Sequence, residues 1–440
     1  MVKVSKLFCG VLFMGALISA TAFAQTPAKD AIKAINEYRV QFLAEARQSG
    51  KPINIAVLNE GVKAKAEAAV KDIDATKVDA KDAYDWAQVF SLAQRHKEVC
   101  DLCHRFLTTS PTPEAKYAAQ TLMMNSCNAL GEGEMLAMTL RDVKPVNSVS
   151  GRSLALTTAN SYADTIAKAR GVDEALKVLD EILAKMPADD HKENAKAMLE
   201  AAKAREARTD PPVATKPDAD RLAEFELSSI NMRTSAIFAI ANKRHDLLLE
   251  AGRKVEAKKA LQDFVASADP RTASHRSAKA SLLRAEMIGA KAPSLNSERS
   301  YGEFKGLDAL KGKVVIIDFF AHWCGPCKAS YPDMRKLYDE LNPKGLEMVG
   351  VTTYYGYYGA ERGISKDAEY AKMADFIKEF NIAWPVVYGE RSNFEAYGVT
   401  GIPHVTVLDR KGNVHSIEIG YSPAIFKKFR AEIEKLIDEK

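Results

Sequence analysis

The pattern of apolar and polar positions changes character once along the chain. From residue 25 to about 287 it has the period of helices. Ala175, Leu176, Leu179, Ile182 and Leu183 fall on one face of Asp173 to Lys185, with charges opposite, and Pro187 ends the segment. Val255 to Val265 repeats the theme with Ala257, Leu261, Phe264 and Val265. No convincing period-2 run interrupts this region. Thr209 to Asp220, carrying Pro211, Pro212 and Pro217, is expected to be a long loop.

After Ile288 the pattern alternates. Ala292-Pro293 opens an extended stretch, and Val314 to Phe320 is a continuous apolar run rich in β-branched residues, the mark of a buried strand. Cys324 to Leu341 reads as a helix, Leu346 to Val351 as a strand, and Asp367 to Phe380 as a helix. Val405 to Asp409 and Val414 to Ile419 flank Arg410-Lys411-Gly412-Asn413, a hairpin signal. Ser422 as N-cap and Pro423 in the first turn open a last helix. The expected architecture is α + α/β: an N-terminal all-α array or bundle over 25–287, then a mixed sheet flanked by helices over 288–440. Trp86 to Pro111, Tyr162 to Pro187 and Ala239 to Pro270 each read as a helical hairpin. They resemble tetratricopeptide-type pairs, without that family's full signature; a non-repeating bundle is the alternative.

The N-terminus adds a compartment. Lys3 and Lys6 precede an uncharged, mostly apolar stretch from Leu7 to Phe23, and Ala22-Phe23-Ala24 carries small residues where a signal peptidase reads. Residues 1–24 are therefore expected to be a secretory signal peptide cleaved before Gln25, with an uncleaved anchor as the alternative. Cys9 stands at the start of the apolar run and not at its end, which does not suit a lipid anchor. A periplasmic or otherwise extracytoplasmic location follows. Composition is that of ordinary globular protein, with 47% hydrophobic and 27% charged residues. The formal net charge of +4, from 62 basic and 58 acidic residues, gives no reason to expect a nucleic-acid partner.

Of the 6 cysteines, the five beyond Cys9 are Cys100, Cys103, Cys127, Cys324 and Cys327, too few for a disulfide-stapled scaffold. Cys324-Gly325-Pro326-Cys327 stands where a strand ends and a helix begins. A helix N-terminus offers unpaired N–H groups and the positive end of the dipole, and both stabilise a thiolate. Cys324 is expected to be exposed there, with Cys327 one turn later and shielded, able to resolve a mixed disulfide on Cys324. A structural disulfide or a zinc half-site would suit the Gly-Pro spacer less well, and no metal is expected.

Asp318-Phe319-Phe320-Ala321-His322-Trp323 and the four residues that follow resemble the active-site segment of thioredoxins. Pro332, Tyr397 to Pro403 and Gly420 extend the resemblance, and the opening Gly289 to Pro293 points to the exported TlpA/ResA branch. The resemblance implies a thioredoxin fold and a thiol–disulfide oxidoreductase. It makes Cys324 the nucleophile, Cys327 the resolving thiol, and Asp318 a buried acid that handles the proton of Cys327; a plain core acid paired to a lysine is the alternative. Pro403, if cis, places Ile402 against an extended substrate, and Trp323, Gly325 and Pro326 line the substrate side. His322 and His404 flank the site, either as thiolate-stabilising cations or as plain surface residues. Tyr354, Tyr355, Tyr357 and Tyr358 form either a docking lip or a loop folded onto the sheet edge.

Cys100-Asp101-Leu102-Cys103-His104 spells the c-type haem attachment pattern. Val99 and Phe106 around it look like core positions, so no cofactor is expected. A bridge from one of these cysteines to Cys127, a set of buried thiols, and a second redox pair are the readings left open. The expected partners are protein thiols and disulfides, a membrane or envelope electron donor, and a protein for the helical region. The competing class is a helical binding scaffold whose redox site acts as a switch.

Overall fold

The computed structural model describes residues 28–50, 52–207 and 216–439. The signal-peptide reading, Cys9, Pro211 and Pro212 lie outside these residues.

Helices fill the first part: α1 (Ala28–Ser49), α2 (Ile55–Val70), α3 (Ala83–Leu92), α4 (His96–Leu107), α5 (Pro113–Leu130) and α6 (Gly133–Asp142). They are followed by α7 (Ser148–Thr157), α8 (Ala163–Arg170), α9 (Val172–Ala184), α10 (His191–Glu206), α11 (Asp218–Glu250), α12 (Lys254–Ser267) and α13 (Ala273–Met287). The three hairpins expected from sequence are α3–α4, α8–α9 and the end of α11 with α12. Their turns share a device. Gln94, Gly171 and Gly252 all take positive φ, at 59°, 90° and 76°. In two of them an Arg before the second helix holds a Glu three residues on: Arg95 Nε donates to Glu98 at 2.8 Å and Arg253 Nε to Glu256 at 2.8 Å. α11 already begins at Asp218, inside the stretch expected to be a loop, and residues 209–215 of that stretch lie outside the described ones.

Strands begin with β1 (Arg299–Tyr301) and β2 (Val314–Phe319), then come α14 (Gly325–Leu341), β3 (Leu346–Thr352), the small hairpin β4 (Tyr357–Tyr358) and β5 (Glu361–Arg362), and α15 (Lys366–Glu379). β6 (Val386–Tyr388), α16 (Ser392–Ala396), β7 (His404–Leu408), β8 (Val414–Ile419) and α17 (Pro423–Asp438) complete the chain. The main sheet has the order β1-β6-β3-β2-β7-β8. β3 runs parallel to β2 and β6, while β7 pairs antiparallel with β2. This is the mixed sheet of a thioredoxin fold. Every residue of β2 is buried, so both faces of the sheet are covered. Alternation divides them: Val314, Ile316 and Phe320 pack with Cys324, Cys327 and Tyr331 on one side, and Val315, Ile317 and Phe319 with Tyr397 and Met287 on the other.

The described residues form two compact units, 28–146 with Lys168–Arg170, and 147–167 with 171–439. The change of pattern at Ile288 therefore falls inside the second unit. The reason is α13. Met287 and Leu283 enter the lower sheet core, and Arg284 Nη1 donates to the Gly398 carbonyl at 2.6 Å. Gly398, at φ 61°, has no room for a Cβ, which would meet the Ala280 carbonyl at 2.9 Å.

Candidate functional site

β2 delivers the chain to the site and α14 receives it. Cys324 is the N-cap of α14, and its sulfur accepts the Cys327 N–H at 3.2 Å. Pro326 at the start of the helix fits a position whose N–H has no intrahelical partner. Cys324 and Cys327 are joined in a disulfide, with Cα atoms 5.3 Å apart. Cys327 is fully buried, as expected. Cys324 is not exposed: 3% of its surface remains open. In the disulfide its sulfur is drawn inward, onto Cys327 and the helix terminus. Gly325 is exposed with open space around its Cα, and Trp323 beside it is 47% exposed, the main apolar surface at the site.

Asp318 is 1% exposed and stands on β2 opposite Gly350 of β3 and Val405 of β7. By alternation it shares the face of Val314 and Ile316, the face that carries both cysteines. Its Oδ2 has no hydrogen-bond partner among the described residues, and no lysine pairs with it there. Burial alone pushes its carboxyl up to about 7.

The Ile402–Pro403 bond is cis. The Pro403 carbonyl accepts the Gly420 N–H at 2.8 Å, with Gly420 at φ 87°, so the segment is tied to the end of β8. Ile402 is half-buried and touches both sheet cores.

The two histidines correct the cationic expectation, and neither is a surface residue. His404 pairs with Phe319 in the β2–β7 register and packs edge-on against its ring at 5.6 Å, on the face away from the cysteines. Burial, with Arg284 adding to it, pushes its imidazole down to about 3. His322 is 4% exposed. Its ring stacks on Tyr358 at 4.6 Å, with Tyr357 at 5.2 Å and Tyr355 at 5.8 Å. Burial, then Lys328, pushes it down to about 4, so it is neutral near pH 7.

All four tyrosines pack onto the domain's own side chains. Tyr354 packs on Tyr388 of β6, 4.7 Å between rings. Tyr355, Tyr357 and Tyr358 wrap His322, and Tyr355 meets the Trp323 ring edge-on at 5.5 Å. Glu369 of α15, which sequence reasoning missed, anchors this wrap. It is 1% exposed and accepts the Tyr355 N–H at 2.9 Å and the Gly356 N–H at 2.8 Å.

Away from this site, Cys100, Cys103 and Cys127 are free and buried. Cys100 on α4 lies 3.6 Å from Cys127 on α5, sulfur to sulfur. Cys103 is fully buried within α4, where burial, with Cys100 adding to it, pushes its thiol up to about 12. A cleft of about 1230 Å³ opens over Cys100 and His104.

A disulfide at the head of a helix, packed into the core on the sheet face that Asp318 shares, in a sheet of this order defines a thioredoxin-fold thiol–disulfide oxidoreductase. Residues 287–433 match the Redoxin family. Over 133 residues the chain is 31% identical to the thiol-disulfide oxidoreductase ResA of Bacillus subtilis (strain 168), covering 30% of this chain and 67% of that protein. The thioredoxin-like protein YneN of the same organism is 29% identical over 132 residues, 30% of this chain and 71% of that one. Among solved structures, a putative thiol:disulfide interchange protein DsbE from Chlorobium tepidum shares 26% identity over 33% of this chain and 95% of that chain, at a TM-score of 0.29. The chain belongs to the thioredoxin-like thiol–disulfide oxidoreductases of the redoxin family, the family of ResA, and is an enzyme of that class.

Proposed function

We propose that this protein works outside the cytoplasm, delivered by its N-terminal signal sequence, and reduces or exchanges disulfides of envelope proteins through Cys324 and Cys327. In the reduced state the thiolate of Cys324, stabilised by the α14 terminus, attacks one sulfur of a partner disulfide. A mixed disulfide forms and the partner's other sulfur leaves. Cys327 then attacks Cys324, restoring the Cys324–Cys327 bond and freeing the partner as a dithiol. Asp318, on the same face and without a partner for Oδ2, takes the Cys327 proton; a carboxyl near 7 can hold or release a proton at working pH. Trp323 and Ile402 supply apolar surface for the substrate, and Gly325 and Pro326 leave its approach open. An envelope electron donor re-reduces the pair. The chemistry needs no group beyond the two cysteines, and a haem on Cys100, Cys103 and His104 would have to reach a Cys103 that is fully buried inside its helix.

The observation that carries this reading is the placement of Cys324 as the N-cap of α14, with its sulfur already accepting a helix N–H. Disulfide reduction of insulin by the reduced protein tests it. Wild type is expected to turn over and Cys324→Ser to lose at least two orders of magnitude in rate. Equal rates would overturn it.

The cleft over α4–α6 favours a second reading, in which the helical hairpins form a repeat-like scaffold that selects the partner. Apart from Lys168–Arg170 the first unit lies at or before residue 146, so a chain of 147–440 is the truncation that removes it. Retained insulin reduction with lost activity on a native partner supports partner selection; full activity on both removes it.

A further inference from the structure

The cleft of the first unit has an unexplained pair of thiols in its wall. Cys100, at 6% exposure, lines it; Cys127 lies behind, fully buried, 3.6 Å away and 27 residues on in sequence. The two belong to the α4–α5 hairpin. That hairpin is held by its own signals: Thr112 caps α5, Pro113 opens it, and Gly131 ends it at φ 74°. The thiol separation is therefore set by packed helices. A disulfide between them would bring the two sulfurs from 3.6 Å to a bond length of ~2.05 Å.

We propose that Cys100 and Cys127 are a second thiol–disulfide exchange centre, which takes an organic disulfide bound in the cleft.

The pair has the asymmetry such chemistry requires. One sulfur meets the ligand and the other waits behind it. The hydrogen bond with Cys127 holds the Cys100 thiol below the ordinary thiol range, against burial and the nearby Glu132 and Asp101. The Cys127 thiol is correspondingly held up, first by Cys100 and then by burial. Cys103 does not share this role: it is fully buried and outside the cleft wall.

The step balances as follows. The Cys100 thiolate attacks one ligand sulfur, the ligand S–S bond breaks, and its other sulfur leaves as a thiolate. Cys127 gives its proton to that thiolate and attacks Cys100. The Cys100–Cys127 bond forms and the second ligand sulfur leaves. Two electrons pass from the pair to the ligand, and the second leaving thiolate takes from solvent the proton that Cys100 gave up, so the ligand departs as two thiols. The lining selects the ligand. Met123, Met135 and Met138 offer pliable apolar surface, and Asp101 and Glu132 bring negative charge near Cys100. A cationic or neutral disulfide suits this cleft better than an anionic one.

The test uses the full-length chain, reduced, freed of reductant, and titrated with cystamine or with oxidised glutathione. Trypsin should then release peptide 98–105 joined to peptide 117–141, less two hydrogens, and dithiothreitol should separate them. Cys103→Ser should leave the joined species unchanged. Cys127→Ser should instead trap cysteamine on Cys100. Cystamine should act at an at least tenfold lower concentration than oxidised glutathione. The Cys324–Cys327 disulfide in the same samples reports that the oxidant worked. If that pair oxidises while Cys100 and Cys127 of the native wild-type chain stay free and alkylate only after unfolding, the proposal is wrong. A bridge through Cys103 would equally overturn it, and glutathione acting as readily as cystamine would overturn the charge selection.

Discussion

Asp318 is the residue whose chemistry departs furthest from its exposed reference. In the unfolded chain an aspartate ionises near its model value of 3.8, whereas in the fold burial holds the proton on Asp318 up to about 7. Between these pH values the folded state binds the proton and the unfolded state does not, so this group's contribution to stability falls as pH rises through that window. Asp318→Asn should therefore stabilise the protein by a few kcal/mol at pH 8 and by little at pH 4, with ~1.4 kcal/mol per pKa unit as the scale. Urea midpoints of both proteins at the two pH values measure this; an equal gain at both would show that the carboxyl is not held neutral by the fold. The same substitution should remove the step near pH 7 from the rate of Cys327-dependent release. His322 and His404 act with the opposite sign. Their folded values, about 4 and about 3, lie below the ordinary 6.5, so they take up protons on unfolding and stability is lost as pH falls below that value. His322→Phe should flatten the acid limb of the stability curve between pH 6.5 and 4. The buried acid was legible in the sequence through the resemblance to thioredoxins; the neutrality of the two histidines was not. Asp318 could be named from its place in the thioredoxin-like segment, but the neutrality of His322 depends on three tyrosines more than thirty residues away folding over it.

At the scale of the element, helix ends were the most legible features. Ser422-Pro423 marked the start of α17, and the Ser422 side chain does accept the Ile425 N–H at 3.2 Å. Ser422→Ala should cost about 1 kcal/mol, read as a lower denaturation midpoint, because one terminal N–H loses its partner. Strands long and apolar enough to show a pattern were also legible, as with Val314 to Phe319. β6 was not, because Val386–Tyr388 is too short for any period to show, and neither were β1 or the two-residue strands β4 and β5. These short pieces take their conformation from the sheet edge and from Glu369. Glu369→Ala would take the acceptor from the Tyr355 and Gly356 N–H groups in a partly buried turn, at a cost of about 1 kcal/mol. It should also change Trp323 fluorescence, since Tyr355 packs against that ring. Unchanged emission with unchanged stability would show that the wrap does not depend on this carboxylate.

For the whole molecule, the change from helical to alternating pattern at Ile288 was legible, but it does not mark where compact structure divides. The Gly398 contact with α13 makes that plain: a helix that reads as part of the first region closes the sheet core of the second. Sequence pattern reports which element a segment forms; which unit the element packs into depends on contacts such as Arg284 with Gly398, far apart in the chain. The chemistry of the molecule, by contrast, rests on a local arrangement, a strand feeding a helix that is capped by its own nucleophile. Trapping tests it most directly. Cys327→Ser, incubated reduced with a disulfide substrate, should accumulate a mixed disulfide at Cys324, seen as an adduct of the substrate's mass on that residue, with multiple turnover lost. Full turnover by this variant, or an adduct confined to other cysteines, would contradict the assignment of Cys324 as nucleophile and Cys327 as its resolving partner.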